Sequence, residues 1–143
     1  MPATDADLRH KVMQWLSYGE EDLQLARHGL TMKSAAPYRL IAYHAQQCAE
    51  KHLKAFLVCN RVDFPFTHNL SRLVELCQTC RDWPDEFLDA EELTPYAVTT
   101  RYPGEDEPVS RQEAVRAIAI AEQTAALVHE ALKQAGLRLS GSS

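Results

Sequence analysis

The chain has no apolar run approaching the roughly 18 residues that a membrane span requires. Its opening "MPATDADLRH" lacks the basic and then apolar order of an export leader. It has only five glycines, and none are grouped into a loop that could cradle phosphates. No sustained period-two alternation, Asn-Gly or Asp-Gly hairpin signal, or internal repeat occurs, which argues against strands and solenoids. The four cysteines, Cys48, Cys59, Cys77 and Cys80, occur with no secretory signal, so a reducing compartment and free thiols are expected. These absences predict an unexported cytoplasmic protein with free thiols, no membrane association and no need of a cofactor.

Positive charge is also scarce. The net charge is −5, and an open duplex-DNA platform would be basic overall. The charge is unevenly spread. Residues 51–81 hold five cations and two carboxylates, a local +3, whereas residues 82–107 set nine carboxylates against Arg101 alone, a local −8. Such a pair of stretches can steer an anion or meet its counterpart on another subunit.

What is present is helical periodicity. Leu8, Val12, Trp15, Leu16, Leu23, Ala26 and Leu30 form one stripe, with Gly19 on it where a neighbouring helix can approach closely. Pro37 suits the first turn of a second helix, whose core side is Ile41, Ala42, Ala45, Ala49, Leu53 and Phe56. Pro65 blocks continuation, and Thr67 or Asn69 can cap a shorter third helix through Leu70, Leu73, Val74 and Cys77. "EFLDAEELTPYAVTT" is helical in composition and is expected to break or kink at Pro95. "RYPGEDEP" reads as a loop. Ser110 and Glu113 form a capping box for a long last helix through Ala114, Ile118, Ala121, Ala125, Val128 and Leu132. The expected fold is an all-α, up-and-down bundle of four to five helices in a single domain, residues 1–135, with a frayed tail at 136–143.

The polar register of the second helix raises the functional question. At about 100° per residue, Tyr43, Gln47, Glu50 and Lys54 lie opposite the apolar arc, which predicts a solvated face. Glu50 and Lys54 are an i,i+4 pair in the favourable order. His44, Cys48 and His52 also recur at i, i+4 and i+8, but no fourth ligand follows at a standard spacing. They read as a helix flank, and no metal site is expected. Cys77 and Cys80 form a Cys-x-x-Cys, but without a βαβ setting or a second pair they read as core thiols.

"YHAQQCAEKHLKAFL", then "FPFTHNLSRL" and "TTRYPGE", resemble the HEPN domain family, a nucleotide-binding domain of higher eukaryotes and prokaryotes. The likeness starts from the Trp15, Asp22, Leu23 and Ala26 pattern. It runs through Gln46, Gln47, Ala49, Glu50, Lys51, Lys54 and Ala55, then Pro65, Thr67, His68 and Leu70, and on to Arg101, Tyr102 and Pro103. The resemblance implies a helical bundle that commonly forms a homodimer, often encoded beside a minimal nucleotidyltransferase as a toxin–antitoxin-like pair. Its catalytic members are metal-independent ribonucleases with an Arg followed a few residues later by a His, late in the bundle. Here Arg101 is followed by Asp106, Glu107 and Pro108, with no histidine.

An Arg-x4-His does occur at Arg39 and His44, in the second helix, where the resemblance does not place the active pair. The expectation is therefore a module that binds a nucleotide, RNA or a nucleotidyltransferase, with a metal-independent endoribonuclease toxin as the alternative. Lys51, Lys54, His68 and Arg101 would supply charge and donors, and Gln47 and Tyr102 orientation. Tyr102 is also a candidate acceptor for modification by a nucleotidyltransferase. Glu50 would position the lysines. If the protein is catalytic, the candidates are Arg101, His44 and Arg39.

Overall fold

A computed structural model describes residues 4–97 and 108–137. The "RYP" segment with Arg101 and Tyr102 lies outside the described residues, as do residues 138–143. Four α-helices, α1 (Asp5–Leu30), α2 (Tyr38–Cys59), α3 (Leu70–Gln78) and α4 (Arg111–Gln134), are joined by a 3-10 segment at Asp85–Ala97. Among the described residues there is no strand, and no helix is long and apolar enough to cross a membrane. The fold is an all-α bundle in a single domain.

The helix ends follow local chemistry. Thr4 and Asp7 make a capping box for α1, and Ser110 and Glu113 make the expected one for α4. Asn69 caps α3 by accepting from Ser71 N–H, while Thr67 Oγ1 accepts from Asn69 N–H. Helix α4 stops where Gly136 enters the left-handed region at φ 89° and Leu137 N–H reaches back to Leu132 O. Helix α2 stops in the same way without a glycine. Arg61 takes φ 55°, its N–H donates to Val58 O, and Val62 N–H donates to Leu57 O. That reversal turns residues 62–68 back along α2.

Every apolar position read on α2, α3 and α4 is buried, as are Val12, Leu16, Leu23 and Ala26 of α1. Helices α1 and α2 run antiparallel. Gly29 faces Ile41 at one end, and Gly19 faces Cys48 and His52 toward the other. The segment holding Pro95 differs from expectation. It is 3-10 throughout and continues past the proline to Ala97. The reason lies in its apolar spacing. Phe87, Ala90 and Leu93 recur at three residues and are buried, and in a 3-10 helix such positions eclipse one another on one face. Long 3-10 runs are uncommon alone, and this one is held from outside. Trp83 stacks on Phe87 at 3.9 Å and 9°, and Arg116 makes a two-bond fork to Glu92. Glu92, and Asp89 beside Gln123, thus use part of the acidic stretch within the chain.

All four thiols are free, and Cys48 and Cys77 are buried. Burial pushes both of those thiols far above the ordinary cysteine range. Native protein is therefore expected to react with a thiol reagent only at Cys59 and Cys80, and denatured protein at all four. Mass spectrometry of labelled peptides checks this.

Candidate functional site

Helix α2 carries the polar register, and its neighbours divide that register between two carboxylates. Asp22, buried on α1, accepts from His44 Nδ1 at 2.8 Å with one oxygen and pairs with Lys51 Nζ through the other. Glu50 of α2 meets Gln46 Nε2 at 3.0 Å, Lys54 Nζ at 3.0 Å and His68 Nδ1 at 2.9 Å. Gln47 extends this chain by donating to Gln46 Oε1 at 2.7 Å. Among the described residues no buried side-chain nitrogen or oxygen lacks a partner. A fully satisfied polar network of this kind rigidifies what it joins.

The solvated face expected from the helical wheel is not solvated. Gln47, Glu50 and Lys54 are 9%, 3% and 6% exposed. The wheel places residues around a single helix, and the cover comes from outside it. After the turn at Arg61, Phe64 packs edge-on against Trp15 at 6.5 Å, and His68 reaches Glu50. Lys54 Nζ consequently lies 5.5 Å from the Trp15 ring centre and 5.7 Å from that of Phe64. Both are within cation–π reach. Glu50 does position a lysine, as expected, but it does so in the interior.

Burial pushes the Glu50 carboxyl up, yet the hydrogen bonds from Gln46, His68 and Lys54, with the Lys54 charge, hold it below its ordinary value. Of the residues expected to bind a ligand, Lys54 and Gln47 are thus enclosed. Lys51 is partly exposed, and the His68 side chain is 55% exposed. Arg39 and His44 lie on one uninterrupted helix. Five residues of α-helix turn the Cα–Cβ directions about 140° apart, so the two groups leave α2 on different sides.

The structure also assembles a group that the sequence reading does not anticipate. His52, expected on a helix flank with His44 and Cys48, is fully buried. Its Nδ1 lies 2.7 Å from Cys48 O and its Nε2 lies 3.3 Å from Glu20 Oε1. His129 of α4 brings Nε2 to 3.8 Å from that same oxygen. The hydrogen bond from His52 holds the Glu20 carboxyl below its ordinary value, against burial. Burial pushes the His129 imidazole down, and the neighbouring His52 adds to this against Glu20. Gly19 was the one available signal. A stripe glycine on α1 marks where a large side chain of α2 crosses close by, and that side chain is His52.

Comparison with known proteins adds three findings. A model of the HEPN domain matches residues 12–131. An archaeal HEPN homologue, ST0689, is similar in structure with a TM-score of 0.67 and 26% sequence identity, covering 85% of this chain and 97% of its own. TT1696 from Thermus thermophilus is similar with a TM-score of 0.66 and 26% identity, covering 84% of this chain and 97% of its own. No curated protein matches the sequence.

Proposed function

The chain belongs to the HEPN domain family, and on that premise we propose that it is a non-catalytic cytoplasmic module that binds a nucleotide, RNA or a nucleotidyltransferase partner. Its setting would be regulatory or toxin–antitoxin-like. The observation that carries this reading is the tying of His44 and His68 to Asp22 and Glu50. Arg39 and His44 leave helix α2 about 140° apart. Lys51 and His68 are the residues of the register that reach the surface, and Arg101 and Tyr102 complete the proposed ligand set, while the enclosed Gln47 and Lys54 support it from behind. The bundle acts as a homodimer. Tyr18 and Leu25, exposed seven residues apart on one side of α1, offer apolar side chains to a second copy. Tyr102 serves as the acceptor if a nucleotidyltransferase modifies the chain.

One observation favours the ribonuclease reading. A carboxylate at Nδ1 of His44 orients the ring with Nε2 turned away from Asp22, an orientation that a general base also uses. The two readings separate in one assay. Purified protein, Arg101→Ala and His44→Ala are incubated with RNA in EDTA, and no cleavage is expected from any of them. Cleavage that disappears in either variant overturns the binding-only reading. Binding is then measured with nucleotides, single-stranded RNA and a nucleotidyltransferase at physiological salt. For RNA, Lys51→Ala and His68→Ala are each expected to weaken binding about tenfold. Lys51→Ala should also lower the salt-dependence slope by about 0.7. No binding to any of the three ligands overturns the proposal.

A further inference from the structure

We propose that Glu20, His52 and His129 form a binding site for a divalent transition-metal ion of the zinc class, one that joins α1, α2 and α4. The candidate donor atoms of the three residues all lie within 4.8 Å of one another. Two of the separations, Glu20 to His52 and Glu20 to His129, are 3.3 and 3.8 Å. Donors around a tetrahedral zinc, each about 2.0–2.1 Å from the ion, stand roughly 3.3 Å apart. The set therefore needs only small rotations to close on an ion.

Those rotations fall on the two residues able to make them. The side chains of Glu20 and His129 are 48% and 37% exposed, whereas that of His52 is 0% exposed. His52 is the fixed ligand. Its Nδ1 lies 2.7 Å from Cys48 O, which fixes the ring so that Nε2 is the nitrogen turned toward Glu20 and His129, and an ion bound there displaces the proton that Nε2 shares with Glu20. A hydrogen bond from the far ring nitrogen to a backbone carbonyl is the usual means of fixing a metal-ligating histidine. The ligand set is two imidazoles and one carboxylate, a combination that zinc takes readily with water in the fourth position. The exposed side of Glu20 and His129 gives the ion its way in.

The hydrogen-bonding pattern supports an ion over a simple polar contact. The 3.8 Å from His129 Nε2 to Glu20 Oε1 is too long for a hydrogen bond, so one carboxylate oxygen faces two imidazoles but bonds only one. Arg27 is the cation near this carboxylate, and its guanidinium is engaged with Glu122.

The test uses the full chain carrying Cys59→Ser and Cys80→Ser, so that the partly exposed thiols do not compete, stripped with chelator and desalted. Zinc chloride is titrated in by calorimetry, and thermal unfolding is followed with and without zinc. One equivalent is expected to bind. Glu20→Gln and His129→Ala, both at partly exposed positions that leave the core intact, are each expected to weaken binding at least tenfold. They should also remove the zinc-induced rise in Tm. His28→Ala, an exposed histidine elsewhere on α1, is expected to change neither. Absence of binding overturns the proposal, and so does binding that both variants leave unchanged.

Discussion

Replacing Glu50 with alanine is expected to lower the unfolding free energy by about 3–5 kcal/mol. The carboxylate and the Lys54 ammonium it holds are both nearly excluded from water, and Lys54 sits between Trp15 and Phe64. Truncating Glu50 leaves an ammonium in an aromatic slot with no counter-charge, and removes the acceptor for Gln46 and His68. The cost belongs mostly to the stranded charge. Changing both partners, Glu50→Leu with Lys54→Met, is accordingly expected to recover most of the loss. Urea unfolding of the two single variants and the double variant at neutral pH measures the coupling. If the double variant is as unstable as Glu50→Ala, the slot is held by something other than the ion pair.

Acid tests the same network. The folded Glu50 carboxyl lies below its ordinary value of 4.5. A depressed carboxyl contributes stability that is complete above the unfolded value and is lost as pH falls through the folded one. The stability gap between wild type and Glu50→Gln is therefore expected to be constant from neutral pH down to about 4.5 and to narrow below it. A gap that widens on acidification would mean that Glu50 is protonated in the native state.

The contrast between Glu50 and the apolar stripes shows what the sequence carried. Ile41, Ala45, Ala49 and Leu53 were legible because burial repeats along one helix, and a period needs no knowledge of the neighbours. The capping box of Ser110 and Glu113 was legible for the same local reason. Gln47, Glu50 and Lys54 were misread because their cover comes from residues 62–68, which return only because Arg61 adopts a left-handed turn that its residue type does not advertise. The 3-10 segment was misassigned because its composition suits an α-helix, and only the spacing of Phe87, Ala90 and Leu93 betrays it. Glu20, His52 and His129 come from three helices at separations that match no ligand motif, so tertiary packing alone brings them together. The HEPN likeness needed none of this, since it rests on residue order along most of the chain.

Gly19 is the point at which packing and the proposed metal site meet, and Gly19→Ala is expected to destabilise the protein by about 1–2 kcal/mol. In an exposed helix the same change would stabilise by roughly 0.5–1 kcal/mol, because glycine is a poor helix former. Here the new methyl would stand 2.7 Å from His52 Nδ1 and 2.8 Å from its Cε1, with Cys48 O at 3.3 Å. The ring has no room to retreat, being fully buried and held to Cys48 O. Helix α1 must then move off α2, an overpacking cost of about 1–3 kcal/mol that exceeds the propensity gain. The double variant Gly19→Ala, His52→Ala separates the causes. If the ring is the obstacle, the alanine at 19 becomes neutral or stabilising in the His52→Ala background. If it stays destabilising there, the Cys48 carbonyl sets the helix spacing, and His52 occupies a gap that the backbones had already fixed.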